Sequence, residues 1–201
     1  MSAAPQYDPS RTITFSRLVD APRDLVFKVF TQAKHIDAWW GPDGFSNETH
    51  EMGFFPGGLW RYTMHGPDGK EWANWIRYKT ITPPELIVYD HGGEIGEPAM
   101  FEGCIYLEAQ GSKTLVTLSL FFPSTEARDA TVKFGAVEGG EQNLARLDAY
   151  MQKDAMTAGA ALENKPFIIS RIFNAPRKLV FDCFTDVDRI KHWWGPKGVK
   201  I

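Results

Sequence analysis

The sequence predicts an α+β domain in which a curved antiparallel sheet wraps around one long C-terminal helix. Three observations carry this. Segments of alternating apolar and polar residues follow one another between Phe45 and Phe122, separated by turn residues. Helical periodicity is confined to a short pair of helices after the first strand and to the stretch after Pro123. Of these, only the last helix is long enough to cover one face of the sheet. A sheet that curls around a single helix leaves a gap, and aromatic side chains are expected to line it.

Residues 1–11 are polar, contain Pro5 and Pro9, and read as a disordered lead-in. Thr12–Val19 alternates and is expected to be a half-buried strand. Ala21-Pro22 opens a helix, with Asp20 as its expected N-cap and Pro22 in the first turn, where no backbone donor is needed. Leu25, Val26, Val29 and Phe30 form its expected apolar stripe. A second short helix carries Ile36 and Trp39-Trp40 and ends at Gly41-Pro42.

The expected strands are then Phe45–Met52, Gly57–His65, Glu71–Ile81, Glu85–His91, Ala99–Ala109 and Thr114–Phe122. Pro67-Asp68-Gly69 makes a hairpin turn, Pro83-Pro84 breaks a strand, and residues 92–98 form a loop. In the last strand Val116, Leu118 and Leu120 face inward. Ser124 caps a helical piece running to Phe134. The main helix follows from about Val137 to about Met156, with Val137, Gly140, Leu144, Leu147 and Met151 on one face. Gly139-Gly140 costs about 1 kcal/mol per glycine relative to alanine in a helix. Either the helix bends there or its backbone passes very close to the sheet or a cavity.

One stretch occurs twice. Ser16-Arg17, Ala21-Pro22-Arg23, Leu25-Val26-Phe27, Phe30-Thr31, Ile36, Trp39-Trp40-Gly41-Pro42 and Gly44 all return 154 positions later, ending with Trp193-Trp194-Gly195-Pro196 and Gly198. The expected organisation is a domain over 12–156, a linker over 157–165, and the truncated start of a second domain over 166–201. Thirty-six residues supply a strand and a helix pair but no sheet, so Phe173, Val180, Phe181 and Phe184 would lack a surface to pack on. Two readings stand: the chain is a piece of a tandem protein, or the tail docks on its own first domain or a neighbouring chain.

The 201 residues carry a net charge of -3, are 43% hydrophobic and include seven Trp and fourteen Phe. That balance suits a globular domain and offers no basic field for nucleic acid or an anionic membrane. No secretion signal and no apolar run of membrane-spanning length stands in the sequence, so a cytoplasmic location is expected. Cys104 and Cys183 read as small buried residues, not as a disulfide framework.

Several stretches then resemble a known family. They are Ala21-Pro22-Arg23-Asp24-Leu25-Val26-Phe27, Trp39-Trp40-Gly41-Pro42, Pro56-Gly57-Gly58-Leu59-Trp60, His65-Gly66-Pro67-Asp68-Gly69, Ile81-Thr82-Pro83-Pro84-Glu85 and Glu138-Gly139-Gly140-Glu141-Gln142-Asn143-Leu144-Ala145-Arg146-Leu147. Together they resemble the activator of heat-shock-protein-90 ATPase homologues, in the C-terminal-domain form. That family belongs to the SRPBCC or START-like superfamily. The resemblance covers residues 12–152, and a second family start covers 166–201. It implies the helix-grip fold, also described as START-like or birch-pollen-allergen-like. It does not fix a chemistry, because relatives of this fold include lipid and hormone carriers, polyketide cyclases and co-chaperones.

For function, no His pairs with another His or a Cys at metal-ligand spacing, and no phosphate loop or nucleophile elbow is present. No catalytic residue, metal or cofactor is therefore expected, and each of the five histidines reads as structural or surface. The expected ligand-binding set is Trp40, Trp60, Tyr62, Trp75, Tyr78, Tyr89, Phe101 and Tyr106, with Glu141 as a polar anchor that would need a partner if it faced inward. The expected partner is a small apolar or aromatic ligand. Rival readings are a co-chaperone or stress-response module that contacts a chaperone, and a cyclase- or hydrolase-type enzyme pairing Glu141 with a Tyr or His. A monomer or homodimer is expected.

Overall fold

The computed structural model describes residues 5–163 and 173–190, without the side chains of 154–163 and of Val187. The chain divides into two compact units, Met1–Ala161 and Leu162–Ile201.

In the first unit seven strands form one curved antiparallel sheet. They are β1 (Thr12–Val19), β2 (Ser46–Met52), β3 (Leu59–His65), β4 (Glu71–Thr82), β5 (Leu86–Gly92), β6 (Phe101–Gln110) and β7 (Lys113–Phe121). Their order is β1-β7-β6-β5-β4-β3-β2. Strands β2 to β7 are a meander of sequence neighbours, and only β1 crosses over, pairing with β7 from Thr12 opposite Phe121 to Val19 opposite Thr114. Period-two alternation then sorts the side chains. Val116 and Leu118 of β7 enter the concave core, while Thr117 and Ser119 stay on the outer face and meet Ser16 and Thr14.

Two short helices, α1 (Arg23–Lys28) and α2 (Ala33–Trp39), follow β1. Asp20 does not cap α1, as the sequence suggested. Pro22 holds the N-cap position, and its carbonyl accepts from the amides of Leu25 and Val26. Asp20 instead lies 3.5 Å from the Lys113 ammonium. The buried stripe also differs from expectation. Val26, Phe27, Val29 and Phe30 are buried, whereas Leu25 is 51% exposed. Helix α1 ends at Lys28, so Val29 and Phe30 lie in the turn after it, where the helical period no longer applies.

Beyond β7, the hydroxyl of Ser124 accepts from the Ala127 amide and caps α3 (Thr125–Lys133), which buries no residue fully. The next helix, α4, spans Ala136–Glu163 and is longer than the sequence pattern indicated. Leu144, Leu147 and Met151 join the core on the concave side of the sheet. Val137 remains 41% exposed. Gly140 is the point of close approach: a Cβ there would stand 2.3 Å from the Phe15 ring of β1. At Gly139 the nearest atom would be Pro42 Cβ, at an ordinary 3.8 Å. One glycine of the pair is therefore explained by proximity to the sheet. The guanidinium of Arg17 on β1 adds two hydrogen bonds, 3.1 and 2.9 Å, to the buried Asp148 carboxylate of α4.

In the second unit, α5 (Arg177–Thr185) and α6 (Val187–Ile190) are described. Both begin 154 positions after α1 and α2, the spacing of the sequence repeat. The expected strand of this unit lies outside the described residues. So do the second Trp-Trp-Gly-Pro and part of the expected linker, whose residues 157–163 continue α4.

Candidate ligand-binding hollow

The Trp39-Trp40-Gly41-Pro42 segment forms one wall of a hollow. Helix α2 ends where Trp40 turns extended, and the chain then reverses at Gly41, which takes φ +103°, a conformation that favours glycine. Three side chains from two adjacent turns of α4 then hold the segment. Asn143 Oδ1 accepts from the Gly41 amide at 2.9 Å, and Gln142 Oε1 accepts from the Asp43 amide at 3.0 Å. The Arg146 guanidinium donates to the carbonyls of Gly41 and Pro42. The helix motif seen in the sequence is thus a clamp for the loop, and it satisfies backbone groups that no regular element pairs.

Between this loop, the concave face of the sheet and the start of α4 lies a hollow of about 600 Å³. That volume suits a small organic ligand. Aromatic and aliphatic side chains from five strands line it, among them Phe15, Tyr62, Met64, Tyr89, Phe101 and Leu118. Phe134, 86% exposed, stands at its edge beside Gly135, which takes φ +99°.

The sequence-predicted residues fall into three groups. Trp40, Tyr62, Tyr89 and Phe101 line the hollow. Trp60 and Tyr78 lie deeper in the same core and border, with Trp40 and Tyr89, a void of only about 10 Å³, too small for any ligand. Trp75, Tyr106 and Glu141 are elsewhere. Trp75 lies on the outer face against Gly92, and its indole Nε1 donates to the Glu94 carbonyl at 3.1 Å. Tyr106 packs with Leu86, Val88 and Cys104 in a second, outer cluster. Glu141 is exposed and does not line the hollow. Cys104 is buried and Cys183 half-buried, and neither is in a disulfide.

His91 is the polar residue that sequence reasoning passed over. It follows Tyr89 by two positions on β5, so strand alternation places it on the same concave face. Its ring stacks on Phe101 with centroids 4.6 Å apart and planes 8° apart. Nδ1 is sealed from solvent and has no hydrogen-bond partner among the described residues, while Nε2 lies 3.5 Å from the Tyr62 hydroxyl. Burial pushes the imidazole pKa down to about 4, so the ring is neutral at pH 7. Burial also raises the Tyr62 phenol, which stays protonated and accepts from Trp40 Nε1 at 3.0 Å. Nearby, burial raises the Asp37 carboxyl against the opposing 2.6 Å bond from Thr49, whose oxygen accepts in turn from Trp60 Nε1 at 2.9 Å. Among the described residues no group of three or more His, Cys, Asp or Glu is placed to hold a metal ion. No described helix is long and apolar enough to cross a membrane.

Solved structures share this architecture. Protein Ms6760 from Mycobacterium smegmatis superposes with a TM-score of 0.67 at 20% identity, over 74% of this chain and 96% of that one. A solution structure of a protein from Arthrobacter aurescens gives 0.68 at 22% identity, over 75% and 91%. The AHSA1 protein from Silicibacter pomeroyi gives 0.58 at 15%, over 71% and 99%. At these identities the likeness is one of fold. No curated protein matches the chain. The family model described as "Activator of Hsp90 ATPase homolog 1-like protein" matches residues 20–152, which contain the loop, six of the seven strands and the clamp on α4, and the chain belongs to that family.

Proposed function

We propose that the first unit is a non-catalytic binding domain that takes a small, mostly apolar or aromatic molecule into the hollow. The observation that carries the reading is the hollow itself: about 600 Å³, walled mainly by aromatic and aliphatic side chains. Such a lining gains by displacing water with apolar surface, at roughly 25 cal/mol per Å² buried. Trp40, Tyr62, Tyr89 and Phe101 are the lining aromatics assigned to contact the ligand. Trp60 and Tyr78 support them from behind. Glu141, the carboxylate that an enzymatic reading would have paired with a sheet residue, is exposed.

The test is native mass spectrometry and a thermal-shift screen with lipids and aromatic compounds. Binding of at least one class at 1:1, with a raised Tm, is expected. A chain that stays unliganded and unshifted across the panel overturns the proposal.

The family description favours a second reading, a co-chaperone module whose surface contacts a chaperone. It predicts stimulated ATP turnover when the chain is added to Hsp90. Unchanged turnover removes it.

A further inference from the structure

We propose that the hollow selects neutral, carbonyl-bearing apolar molecules, with Tyr62 and His91 both donating to the one ligand oxygen. The proposal rests on the ligand-binding reading above and adds the ligand's chemistry.

An indole N–H only donates, so the 3.0 Å contact fixes Trp40 as donor and Tyr62 as acceptor. The hydroxyl proton of Tyr62 must then go elsewhere. Its protein acceptor is His91 Nε2 at 3.5 Å, at the outer limit of a useful hydrogen bond. Accepting that proton would leave the imidazole hydrogen on Nδ1, sealed in the protein without an acceptor. With the hydrogen on Nε2, the sealed atom is only a lone pair, which is the less costly orphan. The Nε2–H then reaches the Tyr62 oxygen only at 3.5 Å, a weak bond that a ligand oxygen can replace, so the Tyr62 hydroxyl and the Nε2–H are two available donors on residues that both line the hollow. Two donors at that separation can each reach one oxygen with bonds of about 2.8 Å.

The other amide side chains of the lining each hold a backbone group. The amides of Asn74, Gln142 and Asn143 bond to the backbone of Trp72, Asp43 and Gly41. The charged residues of the lining are Asp43 and Glu138, both carboxylates, and no Lys or Arg stands among them. An anionic ligand would find repulsion and no counter-charge. A neutral carbonyl supplies the acceptor the donor pair lacks without adding charge. The His91–Phe101 stack fixes the imidazole plane and so the direction of its N–H.

Fluorene, 9-fluorenone and fluorene-9-carboxylate form a matched set of probes that differ at one position. Affinities are read by quenching of tryptophan fluorescence, and the bound ketone by its infrared carbonyl band. The expected result is fluorenone binding about tenfold or more tighter than fluorene, the worth of one or two buried hydrogen bonds. The carboxylate should bind weakest, and the bound carbonyl band should move to lower wavenumber. Within Tyr62→Phe, fluorenone and fluorene should bind with equal affinity and the band shift should be lost. Should Tyr62→Phe fail to fold, the three-probe ranking and the band in the unaltered chain still decide. Equal binding of fluorene and fluorenone with an unshifted band overturns the donor pair but leaves the hollow a ligand site, as does tightest binding of the carboxylate. Failure of all three to bind overturns the donor pair and counts against the ligand-binding reading as well.

Discussion

His91 shows what one half-buried side chain does to the pH response of the protein. Its folded pKa is about 4 against an ordinary value of 6.5. Above pH 6.5 neither the folded nor the unfolded chain protonates it, and it leaves stability unchanged. As pH falls from 6.5 toward 4 the unfolded chain gains a proton that the fold refuses, so stability is lost across that window and levels off below it. The loss amounts to at most about 3 kcal/mol. Asp37 opposes it, because its raised carboxyl pKa makes the fold take up protons more readily than the unfolded chain. Urea unfolding of the native chain and of His91→Leu at pH 7 and pH 4.5 separates the two. The native chain should lose more stability on acidification than the variant, and equal losses would show that His91 does not titrate in this way. The residue was within reach of the sequence, since Tyr89 and His91 share a face by period two. What the sequence did not show is which of seven strands would bring an accepting or donating partner beside it. Trp75 and Tyr106 illustrate the converse. Their aromatic character resembled that of Tyr62 and Tyr89, and only the sheet register puts them on the outer face.

At the scale of the element, α4 does two jobs along one stretch. Leu144, Leu147 and Met151 pack on the sheet, while Gln142, Asn143 and Arg146 hold the Trp-Trp-Gly-Pro loop. The stripe of leucines was legible because its spacing is helical. The clamp was not, because its partners lie about 100 residues away in the chain. The glycine pair at the head of the helix gives a contrast to measure. Gly139→Ala meets only Pro42, at an ordinary 3.8 Å, and should raise stability by up to about 1 kcal/mol through helix propensity. Gly140→Ala gains the same propensity but drives a methyl group to 2.3 Å from the Phe15 ring. Overpacking of that kind costs about 1–3 kcal/mol, so a net loss of about 1 kcal/mol is expected. Denaturant midpoints for the two variants should move in opposite directions. Because Phe15 also lines the hollow, Gly140→Ala should weaken ligand binding as well.

On the scale of the whole molecule, the two units carry unequal burdens. Every residue lining the hollow lies between Phe15 and Asn143, inside the first unit. A chain ending at Ala161 should therefore keep the Tm of that unit and bind the same probes with the same affinity. A loss of affinity would show that residues 162–201 contribute to the site. The α+β architecture, the meander and the grip of the last helix could all be inferred from alternation, turn residues and helix length. The 154-residue repeat was equally plain as letters, and α5 and α6 begin where it places them. In α5, Phe181 is 65% exposed, whereas its repeat counterpart Phe27 is 7% exposed and in contact with Phe54. We propose that the second unit is the opening segment of another domain of this kind, with α5 occupying the place that α1 takes in the first.

The strand order has a consequence for the order in which the protein is made. Strands β2 to β7 can pair one after another as they leave the ribosome, each with the strand just before it. Strand β1, synthesised earliest, has no partner until β7 emerges about a hundred residues later. The inner side of the sheet stays uncovered longer still, because α4, which packs on it, follows β7 in the chain. Throughout that interval Trp60, Tyr62 and Tyr89 face water, and the nascent chain presents a sticky aromatic bowl of the sort that folding helpers shield.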